Sequence, residues 1–247
     1  MTRGYPMLPD VPGESRDHSH HRSLWFGYDG VNGHDFWRAG KEPTLHQEFV
    51  SVTSGPVFGE FAARVAWMPK GERQVCEDVR RFRVWRTPGS RVVDVSVDLR
   101  ATNGPLQLGD SEEGMLGFRV ASSMKVQAGG TIRNAAGQTN GDAWGKRSPW
   151  CDYSGDLGGE TVGIAILDSP ENLRHPTYWH VRPYGLFCAN RFGVRDFTGE
   201  GDGSHRIPQG RSLLQRYRVY MHRGDALEAR VEEFYKGYAR APRIALE

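Results

Sequence analysis

Four of the nine histidines, His18, His20, His21 and His34, fall within a stretch of 17 residues. Neutral imidazole is the commonest metal ligand and the usual general base near neutral pH. In an extended segment, residues i and i+2 share a face. His18 and His20 would then point one way and His21 the other, which offers one metal two ligands. The competing reading is a polar loop of hydrogen-bonded histidines.

Three further clusters carry chemistry-bearing side chains. Residues 175–185 pack His175, His180, Arg182, Tyr178, Tyr184 and Trp179 into one window. Aromatic faces beside charged donors suit sugars, whose C–H faces stack and whose hydroxyls take hydrogen bonds. The alternative is an aromatic core patch with Arg182 on its rim. Asp110, Glu112 and Glu113 sit just before Gly114. Crowded carboxylates raise the pKa of one of them and supply a base or a metal ligand, or they form an exposed acidic turn. Trp144 and Trp150 flank Lys146 and Arg147, which reads as a wall for a polyhydroxylated ligand or as cation–π packing. Motifs for a serine nucleophile elbow, a phosphate loop, a dinucleotide fold and a His-Glu-x-x-His zinc helix are absent from the chain.

Short strands must position these residues. Gly (31) and Pro (14) together make about 18% of the 247 residues, above the roughly 12% average, which favours many tight turns. Val93, Val95, Val97 and Leu99 alternate with Asp94, Ser96, Asp98 and Arg100, the period of a half-buried antiparallel strand. Residues 49–52, 58–67, 79–85, 161–167 and 213–222 read similarly. A C-terminal helix is expected over 225–239. Asp225 is its N-cap, Glu228 completes a capping box, and Leu227, Val231, Phe234 and Tyr238 form one apolar face. Residues 1–16 read as an irregular arm. The expectation is one all-β domain over 1–247, an antiparallel β-sandwich of galactose-mutarotase-like or jelly-roll-like type.

Charge and composition exclude other classes. Lys+Arg 32 against Asp+Glu 30 gives +2, which is no electrostatic footprint for nucleic acid or anionic lipid. No apolar run reaches the 18 or so residues of a membrane helix, and the first residues lack a signal-peptide stretch. Cys76, Cys151 and Cys188 are odd in number and widely spaced, so the expectation is a cytoplasmic protein with reduced thiols. An exposed aromatic face would serve a homo-oligomer contact as readily as a binding wall.

The chain resembles a bacterial family labelled methane oxygenase PmoA, or PmoA-like. The resemblance rests on Asp17-His18-Ser19-His20-His21-Arg22, Val31-Asn32-Gly33, Glu113-Gly114, Trp144-Gly145-Lys146-Arg147, Trp150 and His175 to Tyr184. It implies carbohydrate catabolism, including routes that oxidise a glycoside at C3 before cleaving it. Carried over position by position, it implicates His18, His20, His21, Arg22, His46, Glu113, Lys146, Arg147, His175, His180, Arg182 and Tyr184.

These readings combine into a carbohydrate-active enzyme that cleaves a 3-keto-glycoside by β-elimination with a divalent metal ion. His20, His21, His180 and Glu113 are the expected catalytic groups. His18, His20, His46, His180 and Glu113 are the expected metal ligands. Arg22, Lys146, Arg147, Trp150, Trp179, Arg182 and Tyr184 would hold the sugar. The rival expectations are a metal-free mutarotase-like enzyme and a sugar-binding module without catalysis.

Overall fold

In a computed structural model, the chain is described over residues 1–8, 11–38 and 43–240. Fifteen strands run in order: β1 Leu24–Val31, β2 His34–Asp35, β3 Thr44–Ser54, β4 Phe58–Trp67, β5 Cys76–Trp85, β6 Arg91–Arg100, β7 Leu106–Leu108, β8 Gly114–Arg119, β9 Thr131–Asn134, β10 Trp150–Leu157, β11 Glu160–Asp168, β12 Tyr178–Val181, β13 Leu186–Asn190, β14 His205–Ile207 and β15 Ser212–Arg223. Two helices, α1 Val194–Thr198 and α2 Val231–Ala239, complete the secondary structure of the described residues with three short 3-10 turns.

The strands form two antiparallel sheets. The larger has the order β3-β4-β5-β6-β15-β11-β10-β9, and the smaller β12-β13-β8-β1-β7-β14 with β2 paired to β1. Their inner faces bury one apolar core, in which Val95, Val97, Leu99, Ile164 and Tyr217 meet Phe26, Leu116, Phe118, Trp179 and Phe187. This is the expected antiparallel β-sandwich. Alternation explains it: Val95, Val97 and Leu99 are buried while Asp94, Ser96 and Asp98 of the same strand are only half-buried.

The C-terminal helix is shorter than expected and begins at Val231. Asp225 does form the capping box, accepting from the Leu227 and Glu228 amides while Glu228 accepts from the Asp225 amide. That box closes a turn instead, because Arg230 adopts a left-handed conformation (φ 53°) and breaks the helical run. Leu227 is left 64% exposed. Val231, Phe234 and Tyr238 pack with Trp150, Ala165 and Leu167 on the larger sheet.

Candidate functional site

The outer face of the smaller sheet carries most of the expected site residues, and strand register explains why. Trp25 on β1 lies opposite Gly117 on β8, Gly117 opposite Cys188 on β13, and Cys188 opposite His180 on β12. These four share one row on one face. Arg119 on β8 lies opposite Leu186 in the neighbouring row. Gly117 leaves the space this row needs: a Cβ there would lie 2.8 Å from the Trp25 ring and 2.9 Å from Cys188 Sγ.

The histidine segment folds over this face as a turn, with the His21 amide donating to the His18 carbonyl at 3.0 Å. It is not the strand that a shared face for His18 and His20 requires. Its anchor is Asp17. That carboxylate accepts from Arg119 Nη2 at 2.9 Å to both oxygens, from Arg3 Nη1 at 2.6 Å and from His18 Nδ1 at 2.9 Å. Burial pushes its pKa up, but the hydrogen bonds from Arg119 and His18 outweigh burial and hold it well below the usual carboxylate range. Arg3 and Arg119 are themselves fully buried, so the irregular arm is locked by two buried guanidinium groups on one acid.

The rings then stack in a column. Tyr184 lies 5.5 Å from His18, His18 lies 4.8 Å from His21, and His21 lies 4.9 Å from Trp25, all near-parallel. Trp37 closes the column 5.3 Å from Trp25, and His20 meets His21 edge-on. Burial, with neighbouring positive groups, lowers the His21 pKa to about 2 and the His20 pKa to about 4. Both are neutral near pH 7, and His21 Nδ1 accepts from Arg119 at 2.9 Å.

His180 is neutral as well, and both its ring nitrogens are used. Nδ1–H donates to the Glu112 carbonyl at 2.8 Å, and Nε2 accepts from Arg182 Nε at 3.0 Å. Burial lowers its pKa to about 4. The side chain is 2% exposed. His180 therefore has no lone pair for a metal and no access to a substrate proton, contrary to expectation. It fixes Arg182, whose guanidinium also donates to both Glu112 oxygens at 3.1 and 3.3 Å and lies 4.8 Å over Trp144.

Beside this column opens a cleft of about 500 Å³, lined by Asp29, Arg38, Ser111, Glu112, Glu113, Trp144, Arg182 and Asp196. Its volume lies in the roughly 300–1,000 Å³ range of small-ligand pockets. Arg38 donates to Asp29 at 3.2 Å and to Asp35 at 3.0 Å. Burial raises the pKa of Asp29, Glu112 and Glu113, with neighbouring carboxylates adding to it and Arg38 or Arg182 opposing it. Glu113 differs from its neighbours in one respect. Asp29 is held by Arg38, Glu112 by Arg182, and Asp196 by the Glu112 amide. The Glu113 carboxylate takes no hydrogen bond among the described residues and has only Arg38 at 3.7 Å.

The remaining expected residues lie elsewhere or serve the fold. His46 sits on the edge strand β3 of the other sheet, against Phe49. Trp179 is fully buried core and donates to the Ser148 carbonyl. Trp150 donates to Glu232 of α2. Arg147 caps the carbonyls of Arg174, His175 and Pro176. Arg22 and Lys146 are exposed, and among the described residues Arg22 donates only to the Ser19 carbonyl, at 3.4 Å. The expected ligand set His18, His20, His46, His180 and Glu113 does not converge. Among the described residues no group of three or more His, Cys, Asp or Glu side chains is arranged to hold a metal ion. Asp29, Arg38 and Asp196 were missed because they reach the cleft from β1, from the segment after β2 and from α1, and no spacing in the sequence links them.

A family model described as a family of unknown function, DUF6807, matches residues 1–236. No curated protein matches the chain. Among solved structures, the chain is similar to a variant of a glycoside hydrolase family 97 enzyme from Pseudoalteromonas sp. strain K8. That likeness has a TM-score of 0.46 and 13% identity, and covers 81% of this chain. The chain spans only 30% of that enzyme's length.

Proposed function

We propose that this chain, which belongs to the DUF6807 family of unknown function, acts on a carbohydrate through proton transfer by Glu113. The observation that carries the reading is the contrast within the cleft. Asp29, Glu112 and Asp196 are committed to fixed donors, and Glu113 is a raised-pKa carboxylate with none among the described residues. A general base works best when its pKa approaches the operating pH and its proton-accepting oxygen is free.

The reaction class that uses such a group beside two fixed guanidinium groups is proton abstraction next to a carbonyl. In a 3-keto-glycoside the C2 proton is acidic. Glu113 takes that proton, the C2–H electrons form the enolate, and negative charge builds on the C3 oxygen. Arg182 and Arg38 are the cations available to that oxygen, and both are held by carboxylates before substrate arrives. The C3 carbonyl then re-forms, a C1–C2 double bond forms, and the C1–O bond breaks. The acid now on Glu113 returns its proton to the leaving oxygen. Trp144, which lines the cleft beneath Arg182, is the aromatic ring beside the sugar. No step is assigned to a metal, because the donors do not gather around one point.

The test is proton NMR in D₂O with a methyl 3-keto-glucoside. Wild type is expected to exchange the C2 proton and release methanol. Glu113→Gln is expected to lose both by 10²-fold or more, the usual scale for a general base, while folding normally. Wild-type rates in Glu113→Gln would remove the assignment, and sugar binding without exchange in wild type would leave a binding module.

A further inference from the structure

The segment that carries Glu113 is tied down through its backbone. The Ser111 amide donates to the Tyr28 hydroxyl at 3.2 Å, and the Ser111 carbonyl accepts from Asn190 Nδ2 at 2.8 Å. The Glu112 amide donates to Asp196 at 2.8 Å, and the Glu112 carbonyl accepts from His180 Nδ1 at 2.8 Å and from the Gly114 amide at 3.1 Å. The Glu113 carbonyl accepts from the Asp29 amide at 3.0 Å. Its amide donates to Ser111 Oγ at 3.2 Å. The amide and carbonyl of all three residues are thus committed, and Tyr28, Asn190 and His180, which hold them, are buried. Gly193 presses on the same segment: a Cβ there would lie 2.7 Å from the Ser111 carbonyl oxygen.

Two side-chain functions of this fixed segment stay uncommitted. One is the Glu113 carboxylate, which takes no hydrogen bond among the described residues. The other is the hydrogen of the Ser111 hydroxyl. That oxygen accepts from the Glu113 amide, and among the described residues the hydroxyl donates to nothing. Ser111 and Glu113 both line the cleft. Because the Ser111 amide and carbonyl are turned to Tyr28 and Asn190, the hydroxyl is what Ser111 presents there.

We infer that Ser111 is a second catalytic residue, whose hydroxyl donates a hydrogen bond to the C3 oxygen of the 3-keto-glycoside while Glu113 takes the C2 proton. The inference rests on the proposed role of Glu113. It follows from adjacency. The Glu113 amide fixes Ser111 Oγ beside the residue that carries the base, and the proton taken and the oxygen that gains charge sit on neighbouring carbons of the substrate. As the C2 proton passes to Glu113, the C2–H electron pair moves toward the C3 oxygen. The Ser111 hydrogen bond strengthens as that charge builds, and the serine keeps its proton. Arg182 and Arg38 already spend donors on His180, Glu112, Asp29 and Asp35. The Ser111 hydroxyl spends none, so its hydrogen is available in full.

The test pairs kinetics with a direct view of the carbonyl. Proton exchange at C2 of a methyl 3-keto-glucoside in D₂O is measured for wild type, Ser111→Ala and Glu113→Gln. Ser111→Ala is expected to lower kcat about 10²-fold, the scale for one donor at a developing oxyanion, with a smaller change in KM and an unchanged far-UV spectrum. The same sugar labelled with carbon-13 at C3 is then bound to Glu113→Gln and to Glu113→Gln, Ser111→Ala. A donor on the carbonyl oxygen moves the C3 signal downfield, so the double variant is expected to give the more upfield signal. Exchange at the wild-type rate in Ser111→Ala would overturn the inference and leave the role of Glu113 standing. A slowed Ser111→Ala whose bound C3 signal does not move would also overturn it, because the serine would then serve only the Glu113 amide. No exchange in wild type would remove the base, and this inference with it.

Discussion

His180 makes the chain's stability depend on pH in a way that can be isolated. Its pKa falls from 6.5 to about 4 on folding, because it is buried and its Nε2 lone pair is held by Arg182. Below pH 6.5 the unfolded ring binds a proton that the folded ring refuses. Stability is therefore full above 6.5 and is lost as pH falls toward 4. At pH 5 the unfolded ring lies 1.5 pH units below its pKa, a loss of about 2 kcal/mol. Other groups act in the same window. His21 adds to the loss, and the raised carboxyls of Asp29, Glu112 and Glu113 oppose it. A comparison with His180→Gln removes these shared terms. The glutamine amide can donate to the Glu112 carbonyl or accept from Arg182, yet never titrates. At pH 7 it is expected to cost about 1–3 kcal/mol for one imperfectly replaced buried hydrogen bond. Urea unfolding at pH 7 and pH 5, with the slope m unchanged, gives the four free energies. Wild type is expected to lose about 2 kcal/mol more than His180→Gln between these two values. Parallel losses, within about 0.5 kcal/mol, would mean that His180 is already charged in the fold and that the neutral, Arg182-binding tautomer is wrong.

Two more substitutions probe the frame of the site. Asp17→Asn leaves Arg3 and Arg119 buried without their shared charge, which is expected to cost about 3–5 kcal/mol. Thermal unfolding should then fall by roughly 6–20 °C for a chain of this length, and an unchanged midpoint would contradict the anchoring role. Gly117→Ala inserts a methyl group within 3 Å of Trp25 and Cys188. It is expected to shift the indole and quench or redden its fluorescence, and an unaltered emission spectrum would show that the row tolerates a side chain there.

The larger architecture was legible because it is local. Asp94 to Leu99 alternate in sequence and in burial, and a period of two needs no distant partner to declare itself. The capping box at Asp225 was legible for the same reason. Its outcome was not, since whether residue 230 continues a helix depends on how α2 docks on Trp150 and Leu167. The site was legible only as a set of rich segments. His18 does stack on Tyr184, and Glu113 and Arg182 do line one cleft, yet the contacts that define the site span 68 to 102 residues, from His180 to Glu112 and from Arg119 to Asp17. Residue type alone made His180 the natural ligand and Trp179 the natural sugar platform. Strand parity decides otherwise: Trp179 faces the core, and His180 faces outward into the grip of Arg182.

Neutral histidines around a free carboxylate have a consequence for any activity measured in acid. The raised Glu113 pKa sets where the base is lost to protonation, above the ordinary value near 4.5. Below pH 6.5 the same fall in pH draws stability from His180 and His21. Both limbs decline in the same direction, but they differ in kind. Protonation of Glu113 is reversible on the time scale of turnover and leaves the aromatic column stacked. Charging of His20 and His21, which comes at lower pH than protonation of Glu113, would set two cations against Arg119 and Arg3 and would unstack the column. A rate that falls while the tryptophan emission of Trp25 and Trp37 stays constant therefore reports the base. A rate that falls together with that emission reports the scaffold.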